Sequence, residues 1–412
     1  MYYAGGGFPN ADGTGMSAYS SHFAGDETMT AIDVNLSGTY ALLGRDHELM
    51  VGYGEAKYDN TSPLFIDLNP EDYGRVPDWG DMGAIPKYRD LDSGIDSNHS
   101  TVKQKSGYLA TRFNLTDHWH AVLGTRYGSW KSSNVDREFD DKALGGVSYD
   151  KVVQTHNDMI TPYAGLLYDF TEELTAYVSY TDIFQPSTNK DVRGSYLKPV
   201  VGSVYEVGLK GSFLEERLNL SSAVFWSKQD NVPEIDSSVP RGPNGEDYYT
   251  SGGKGNKVKG FEVELAGEVM RGWNMIAGYT YTHSLNADGK RINTASPLNL
   301  VKVSTTYKLP GEWSAMTVGA AVNWQSDIYR AARRPDGTTD AKGNPNTFKE
   351  NITQKSYTLL DLMARYEFDT HVSATLNVKN VLDQKYYDNV GFFNGVFWGE
   401  PRTVSLGLEW KL

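Results

Sequence analysis

The chain contains no cysteine. Disulfide frameworks, thiolate nucleophiles and cysteine-ligated metals are therefore excluded. No window approaches twenty consecutive apolar residues, which excludes helical membrane spans, and mean hydropathy is −0.50. Basic charge is in short supply: 39 Lys and Arg stand against 52 Asp and Glu, for a net charge of −13. No basic stripe stands out to neutralise phosphates, so a nucleic-acid partner is not expected. Met1-Tyr2-Tyr3-Ala4-Gly5-Gly6-Gly7 has neither a basic stretch nor an apolar one. No export signal is present there, and the chain is expected to be a mature or truncated form, or else not exported. No nucleophile elbow, metalloprotease helix motif or pair of catalytic carboxylates at recognisable spacing appears, so the chain is not expected to be an enzyme.

Aromatics and glycine are plentiful, with 27 Tyr, 9 Trp and 42 Gly. The last residues show how they are used. Val404, Leu406, Leu408, Trp410 and Leu412 alternate with Thr403, Ser405, Gly407, Glu409 and Lys411, which makes a strand with one apolar and one wet face. A chain ending in such a strand looks like an outer-membrane β-barrel, where only alternate residues meet lipid and mean hydropathy stays low. The same parity recurs in 261 to 269, where Glu262, Glu264 and Glu268 oppose Phe261, Val263, Leu265, Gly267 and Val269. Three glutamates on one face are intolerable in a dry core and ordinary in a hydrated lumen. Residues 360 to 368 and 372 to 379 repeat the pattern.

Short turns alternate with long connections. The turns fall at Gly44-Arg45-Asp46, Thr116-Asp117, Thr171-Glu172-Glu173, Leu214-Glu215-Glu216, Arg271-Gly272, Pro310-Gly311-Glu312 and Asp369-Thr370. The connections are placed at 59–102, 131–157, 185–199, 229–256, 285–297, 327–353 and 384–397. This is the periplasmic and extracellular asymmetry of a membrane barrel. Aromatics gather in two bands. Phe113, Trp119, Phe170, Phe213, Trp273, Tyr307, Trp313, Phe368 and Trp410 lie near the short turns; Tyr58, Tyr127, Trp130, Tyr180, Trp226, Tyr281 and Trp324 lie near the long loops. A soluble β-protein with aromatic cross-strand pairs is the plainer alternative. About fifteen strands are predicted, an odd number where single-chain barrels close with an even one. Something is therefore expected to be missing from the front.

Several stretches resemble TonB-dependent outer-membrane receptors of the ferric-siderophore branch, which includes the pyoverdine and the coprogen or hydroxamate receptors. Tyr205-Glu206-Val207-Gly208-Leu209-Lys210-Gly211 resembles the "E-x-G-x-K" strand, and Leu218-Asn219-Leu220 with Ala223-Val224-Phe225-Trp226 its partner. Lys259-Gly260-Phe261-Glu262-Val263-Glu264 resembles "G-x-E-x-E". Asn377-Val378-Lys379-Asn380-Val381-Leu382-Asp383-Gln384-Lys385-Tyr386-Tyr387 resembles "N-x-x-N-L-F-D-x-x-Y", and Trp398-Gly399-Glu400-Pro401-Arg402 stands where the family has "G-x-P-R". Val381-Leu382 departs from the commoner Leu-Phe, and Leu412 replaces a terminal phenylalanine.

The resemblance implies an all-β transmembrane antiparallel barrel, here about fifteen strands of about 22, with the plug domain absent. Residues 1–30 are expected to be the remnant of a strand and an extracellular loop, and 31–412 the C-terminal part of the barrel. The function implied is ferric-siderophore uptake at the outer membrane of a Gram-negative bacterium. Energy would come from the TonB-ExbB-ExbD complex through an N-terminal part. The ligand would be an Fe(III)-siderophore, with no covalently bound cofactor; lipopolysaccharide and outer-membrane lipid are the other partners. The runner-up is a passive, porin-like diffusion channel.

Bulky oxygen-rich chelates call for aromatic walls with arginines. The candidates are Trp79, Tyr88, Tyr248, Tyr249, Tyr329, Arg330, Arg333, Arg334, Phe392, Phe393 and Trp398. The basic cluster from Tyr329 to Arg334 leads them, since it implies an anionic partner in an acidic chain; lipopolysaccharide phosphate would serve equally. Each aromatic has the plainer reading of loop packing or girdle. His118-Trp119-His120 puts two imidazoles on one strand face, a weak zinc-like pattern more simply read as lumen-facing residues beside a turn. Asp336-Gly337-Thr338-Thr339-Asp340 suggests a calcium loop without its closing glutamate. Gly252-Gly253-Lys254-Gly255 lacks the Ser or Thr of a phosphate loop.

Overall fold

The computed structural model describes residues 2–3, 8, 21–23, 25–66, 96–139, 147–236, 238–240, 247–251, 255–340, 345–392 and 395–411. Fifteen long strands form one antiparallel sheet in chain order. They are β1 (Asp26–Leu42), β2 (Arg45–Ile66), β3 (Asp96–Asn114), β4 (Trp119–Phe139), β5 (Val147–Thr171), β6 (Leu174–Gln185), β7 (Val200–Phe213) and β8 (Leu218–Asp230). They continue as β9 (Asn256–Met270), β10 (Trp273–Leu285), β11 (Asn299–Lys308), β12 (Met316–Gln325), β13 (Tyr357–Glu367), β14 (Val372–Lys379) and β15 (Thr403–Trp410). Ser21–Phe23 pairs with β2 in the register that β1 keeps, so it continues β1 outward. β1 and β15 do not pair with each other among the described residues.

Register makes one face apolar across the whole sheet. Val207 of β7 sits between Val178 and Val224, Leu265 between Leu220 and Ala277, and Leu376 between Ala364 and Leu406. Among the described residues nothing covers this face at its last strand: Leu406 is 69% exposed, Leu408 76% and Trp410 76%. An apolar face of that extent is stable only against lipid. The other face is charged and cross-linked, with Arg365 bonding Glu409 at 2.9 Å, Lys308 meeting Glu367 at 3.3 Å, and the Tyr108 hydroxyl donating to Asp33 at 2.8 Å. Tyrosine and phenylalanine rings on this lumen face lie flat over cross-strand glycines: Tyr108 over Gly52, Tyr163 over Gly124, Phe225 over Gly260. A Cβ at those glycines would enter the rings.

Aromatic bands bound the apolar stripe. At the short-turn end Trp119 packs on Tyr168 (4.8 Å) and Tyr366 on Phe368 (5.1 Å); at the loop end Tyr205 stacks on Trp226 (5.5 Å) and leans on Tyr180 (5.1 Å). Two predicted girdle members fall elsewhere. Tyr58 shares the lumen parity of Gly52 and Gly54, and Trp130 lies on the lumen side, 8% exposed, beside His156. The parity predicted through 261–269 holds to Gly267 and then breaks at a bulge between Glu268 and Met270. Gly267 takes φ +138° there, with the Arg217 carbonyl where a Cβ would stand.

The predicted long connections are shortened by strand. β2 and β3 run on through 59–66 and 96–102, and β4 and β5 through 131–139 and 147–157. Their extensions project beyond the bilayer, where both faces are wet and the alternation that marks a membrane strand disappears. At the short-turn end, His118 Nδ1 bonds the Asp169 carbonyl at 2.9 Å and His120 Nε2 its carboxylate at 2.8 Å, so the two imidazoles are taken up by one aspartate.

Candidate functional site

The tightest apolar packing of the described residues lies in the loops at one end of the sheet. Between β12 and β13, Ile328–Thr339 pairs with Pro345–Gln354. Between β14 and β15, Tyr387–Phe392 pairs with Gly395–Trp398, which also takes Tyr2–Tyr3 as a third strand. The two units are sealed by Ile328, Ala332, Ile352, Val390 and Val396, with Phe8, Ala295, Tyr387 and Trp398 against them. Val390 and Val396 are fully buried. The reason is local: wall residues have lipid to cover them, whereas loop hairpins in water must bury their apolar faces on each other.

Strand alternation divides the basic cluster. Ile328, Arg330, Ala332 and Arg334 share one face of the hairpin with Phe348, Glu350, Ile352 and Gln354; Tyr329, Ala331 and Arg333 share the other with Thr347, Lys349, Asn351 and Thr353. On the packed face Arg330 covers Gly391, and Arg334 pairs with Glu350 at 2.9 Å while its guanidinium sits 5.4 Å from the Phe8 ring. Those two arginines hold the loops together. On the opposite face Arg333 and Lys349 are cross-strand neighbours, both exposed. Arg291, from the loop between β10 and β11, lies 5.4 Å over the Tyr329 ring. The Tyr329 amide donates to the Thr294 carbonyl at 2.9 Å, tying that loop to the hairpin. The result is a face on which exposed Arg333 and Lys349 stand four residues along the hairpin from the half-buried pair Tyr329 and Arg291. Arg291 and Lys349 had no signal in the sequence, because each reaches the site from another segment.

The remaining candidates are dispersed. Trp398 packs its ring on Tyr387 at 4.5 Å and serves the loop core. Tyr248 and Tyr249 belong to a separate unit, in which the Asp236 amide donates to the Tyr248 carbonyl and the Tyr249 amide to the Lys190 carbonyl. Phe392 ends its strand opposite Gly395. Trp79, Tyr88 and Phe393 lie outside the described residues. Beside the bulge at Asn157 and Asp158, a lumen-side cleft of about 180 Å³ is lined by Ser106, Arg126, Trp130, Met159 and Thr161 among others. Among the described residues no three His, Asp or Glu side chains are grouped to hold a metal.

The neck of the hairpin is clasped by Asp327. Its carboxylate accepts the Ser356 amide at 2.6 Å and meets the Lys355 ammonium at 3.3 Å. The Ser356 N–H, and then Lys355, hold its pKa below the usual carboxylate range. The segment that resembles "N-x-x-N-L-F-D-x-x-Y" is a second clasp. Asn380, 3% exposed at φ +47°, donates through Nδ2 to the Gln384 and Glu400 carbonyls, each at 3.0 Å, and accepts the Gln384 amide at 2.9 Å. Tyr386 then packs on Tyr357 at 4.5 Å and covers Gly399, and burial raises its phenol pKa. These motif residues fold the last loop; they are not the ligand face.

A family model described as TonB dependent receptor-like, beta-barrel, matches residues 2–381. The ferric-pyoverdine 358 receptor of Pseudomonas putida is 36% identical over 386 residues, which cover 92% of this chain and 43% of that receptor. The ferripyoverdine receptor of Pseudomonas aeruginosa is 32% identical over 404 residues, covering 94% of this chain and 45% of that receptor. The crystal structure of the ferripyoverdine receptor of the Pseudomonas aeruginosa outer membrane, bound to ferripyoverdine, superposes with a TM-score of 0.77 at 29% identity. It covers 99% of this chain and 51% of that one. The chain spans less than half the length of these curated relatives.

Proposed function

This chain belongs to the TonB-dependent receptor β-barrel family, and from that premise we propose that it forms the wall and ligand-holding loops of a ferric-siderophore receptor. It is an outer-membrane protein of a Gram-negative bacterium and not an enzyme. The observation that carries the reading is the packed loop platform with its outward face of exposed Arg333 and Lys349 and half-buried Arg291 and Tyr329. A ferric chelate presents anionic oxygens and flat conjugated groups. Guanidinium and ammonium groups give it charge-assisted hydrogen bonds, and the tyrosine ring an apolar wall. Because the platform is closed by a buried apolar core, the cations are held before the ligand arrives and little ordering entropy is lost on binding.

Passage inward would run along the charged lumen face, driven by TonB with ExbB and ExbD. The passive-channel alternative calls for a closed wall with an even number of strands. The described residues give fifteen crossings with β1 and β15 not paired to each other, and no observation favours that alternative. The test is uptake of radioiron carried by a pyoverdine-type siderophore in iron-starved cells with and without the gene, repeated with the proton gradient collapsed. The proposal expects uptake that needs both gene and gradient. Uptake that survives loss of the gradient would point to passive entry.

A further inference from the structure

Between β5 and β6 the wall has a seam. β5 pairs with β6 only as far as Tyr163 and Thr181, yet it stays paired with β4 out to Val147 and Phe139. Over 147–162, therefore, β5 has no strand paired to it on the β6 side among the described residues. The loop between β6 and β7, residues 186–199, meets it there instead. Gln154 donates through Nε2 to the Ser187 carbonyl at 2.5 Å, and both residues are buried. The same amide nitrogen lies 3.1 Å from His156 Nε2. Two rings flank that imidazole, Trp130 of β4 at 5.7 Å and Phe184 of β6 at 6.0 Å.

A carbonyl only accepts, so Ser187 fixes the Gln154 amide with its nitrogen toward the loop. His156 Nε2 is then an acceptor as well, and the imidazole is neutral with its hydrogen on Nδ1. A protonated His156 carries N–H on both nitrogens, and its Nε2–H points at the Gln154 amide hydrogens. Turning the amide to offer its oxygen to His156 sets that oxygen against the Ser187 carbonyl. One of the two contacts must be given up.

The groups packed on His156 are all neutral: Trp130, Phe184, Gln154 and the Ser187 backbone. The charges nearest on those elements are placed elsewhere. Asp158 takes the Tyr127 hydroxyl, Asp182 takes the Tyr180 hydroxyl, and Lys190 sits 5.5 Å over the Tyr196 ring. Lys131 follows Trp130 on the opposite face, while Arg126 and Lys105 line the cleft beside Trp130. This stretch of β5 lies beyond the bilayer, and burial lowers the His156 pKa. The contact is therefore complete above the ordinary imidazole range, and it is lost as pH falls through that range to the lower value of the folded protein.

The loop behind Ser187 is a unit. The Leu197 amide donates to the Asn189 carbonyl at 3.0 Å and the Asp191 amide to the Ser195 carbonyl at 2.8 Å, while the Lys190 carbonyl accepts the Tyr249 amide at 2.9 Å. We propose that His156, Gln154 and Ser187 form an acid-released latch between the extended β4–β5 hairpin and the extracellular loops. With His156 neutral, loop 186–199 is held to β5. With His156 protonated, the loop is let go together with its attachment at Tyr249. The latch acts whichever chelate the loops hold, and its failure would leave the ligand reading untouched.

The test is hydrogen exchange with mass spectrometry on the protein purified in detergent from outer membranes, between pH 8 and pH 5 and corrected for intrinsic exchange rates. Wild type is compared with His156→Phe, which keeps a ring between Trp130 and Phe184 and cannot titrate. The proposal expects exchange in 186–199 to rise about fivefold in wild type as pH falls, the worth of one hydrogen bond, and to stay flat in His156→Phe. The Ser356 amide, held by Asp327, should remain protected over the same interval. A flat wild-type profile overturns the proposal, as does an equal rise in His156→Phe. If His156→Phe does not assemble, wild type decides alone: a rise that begins only in the carboxylate range, together with loss of Ser356 protection, overturns the latch, and a rise in the imidazole range with Ser356 still protected supports it.

Discussion

The side chain of Arg330 lies against the α-carbon of Gly391, so that a β-carbon at Gly391 would come within 2.7 Å of Arg330 Cγ and 2.8 Å of its Cβ. Arg330 cannot swing clear, because its own Cβ is part of the contact. Gly391 also sits at φ +84°, which costs a residue with a side chain about 1–2 kcal/mol. Gly391→Ala is expected to part the two loop hairpins and weaken chelate binding about tenfold, while the wall keeps its heat stability. Titration of siderophore binding beside a gel assay of heat-modifiability checks both halves.

Asn380 closes the turn after β14 with three side-chain hydrogen bonds from a buried position. Asn380→Ala leaves two carbonyls and one amide without partners, and the alanine must hold φ +47°. The expected loss is about 3 kcal/mol, read as a lowered unfolding midpoint in denaturant and a smaller assembled fraction.

Asp327 gives the hairpin neck a pH dependence. Its pKa in the folded protein is depressed, so the clasp is at full strength above the ordinary carboxylate range and is lost as pH falls through the depressed value. Protection of the Ser356 amide against hydrogen exchange should fall over that acid window in wild type. In Asp327→Asn the neutral amide oxygen still accepts the hydrogen bond, and the acid-dependent loss should vanish.

Face assignment is open to a paired test within one strand. Leu376 lies between Ala364 and Leu406 on the lipid face, and its neighbour Asn377 between Met363 and Ser405 on the lumen face. Leu376→Arg is expected to cost about 2–4 kcal/mol and Asn377→Arg close to nothing. Comparing the folded fractions of the two variants in membranes shows which of the two side chains meets lipid.

Much of the wall was legible because lipid on one side and water on the other impose a two-residue period, as in Phe261 to Gly267 and Val404 to Trp410. Legibility ended where that contrast ends. In the tall hairpins Lys131-Ser132-Ser133-Asn134 is polar on both faces and carries no period, although it is strand. The basic cluster was visible as composition, but neighbours on a strand point apart, so Arg330 and Arg334 lie on the face that packs against the other loop while Arg333 lies on the opposite one. Lys349 joins it by hairpin pairing and Arg291 by loop docking, and neither relation leaves a mark in local sequence.

Everything proposed for the loops turns on whether the face of Arg291, Tyr329, Arg333 and Lys349 holds a ferric siderophore. The most direct measurement is the affinity of the protein in outer-membrane preparations for a ferric pyoverdine-type siderophore, with wild type set beside Arg291→Gln/Arg333→Gln. Saturable binding is expected that weakens about 150-fold or more in the double variant, since each charge-assisted contact is worth about 1.5–3 kcal/mol, with the assembled fraction unchanged. Binding of equal strength in both would contradict the proposal.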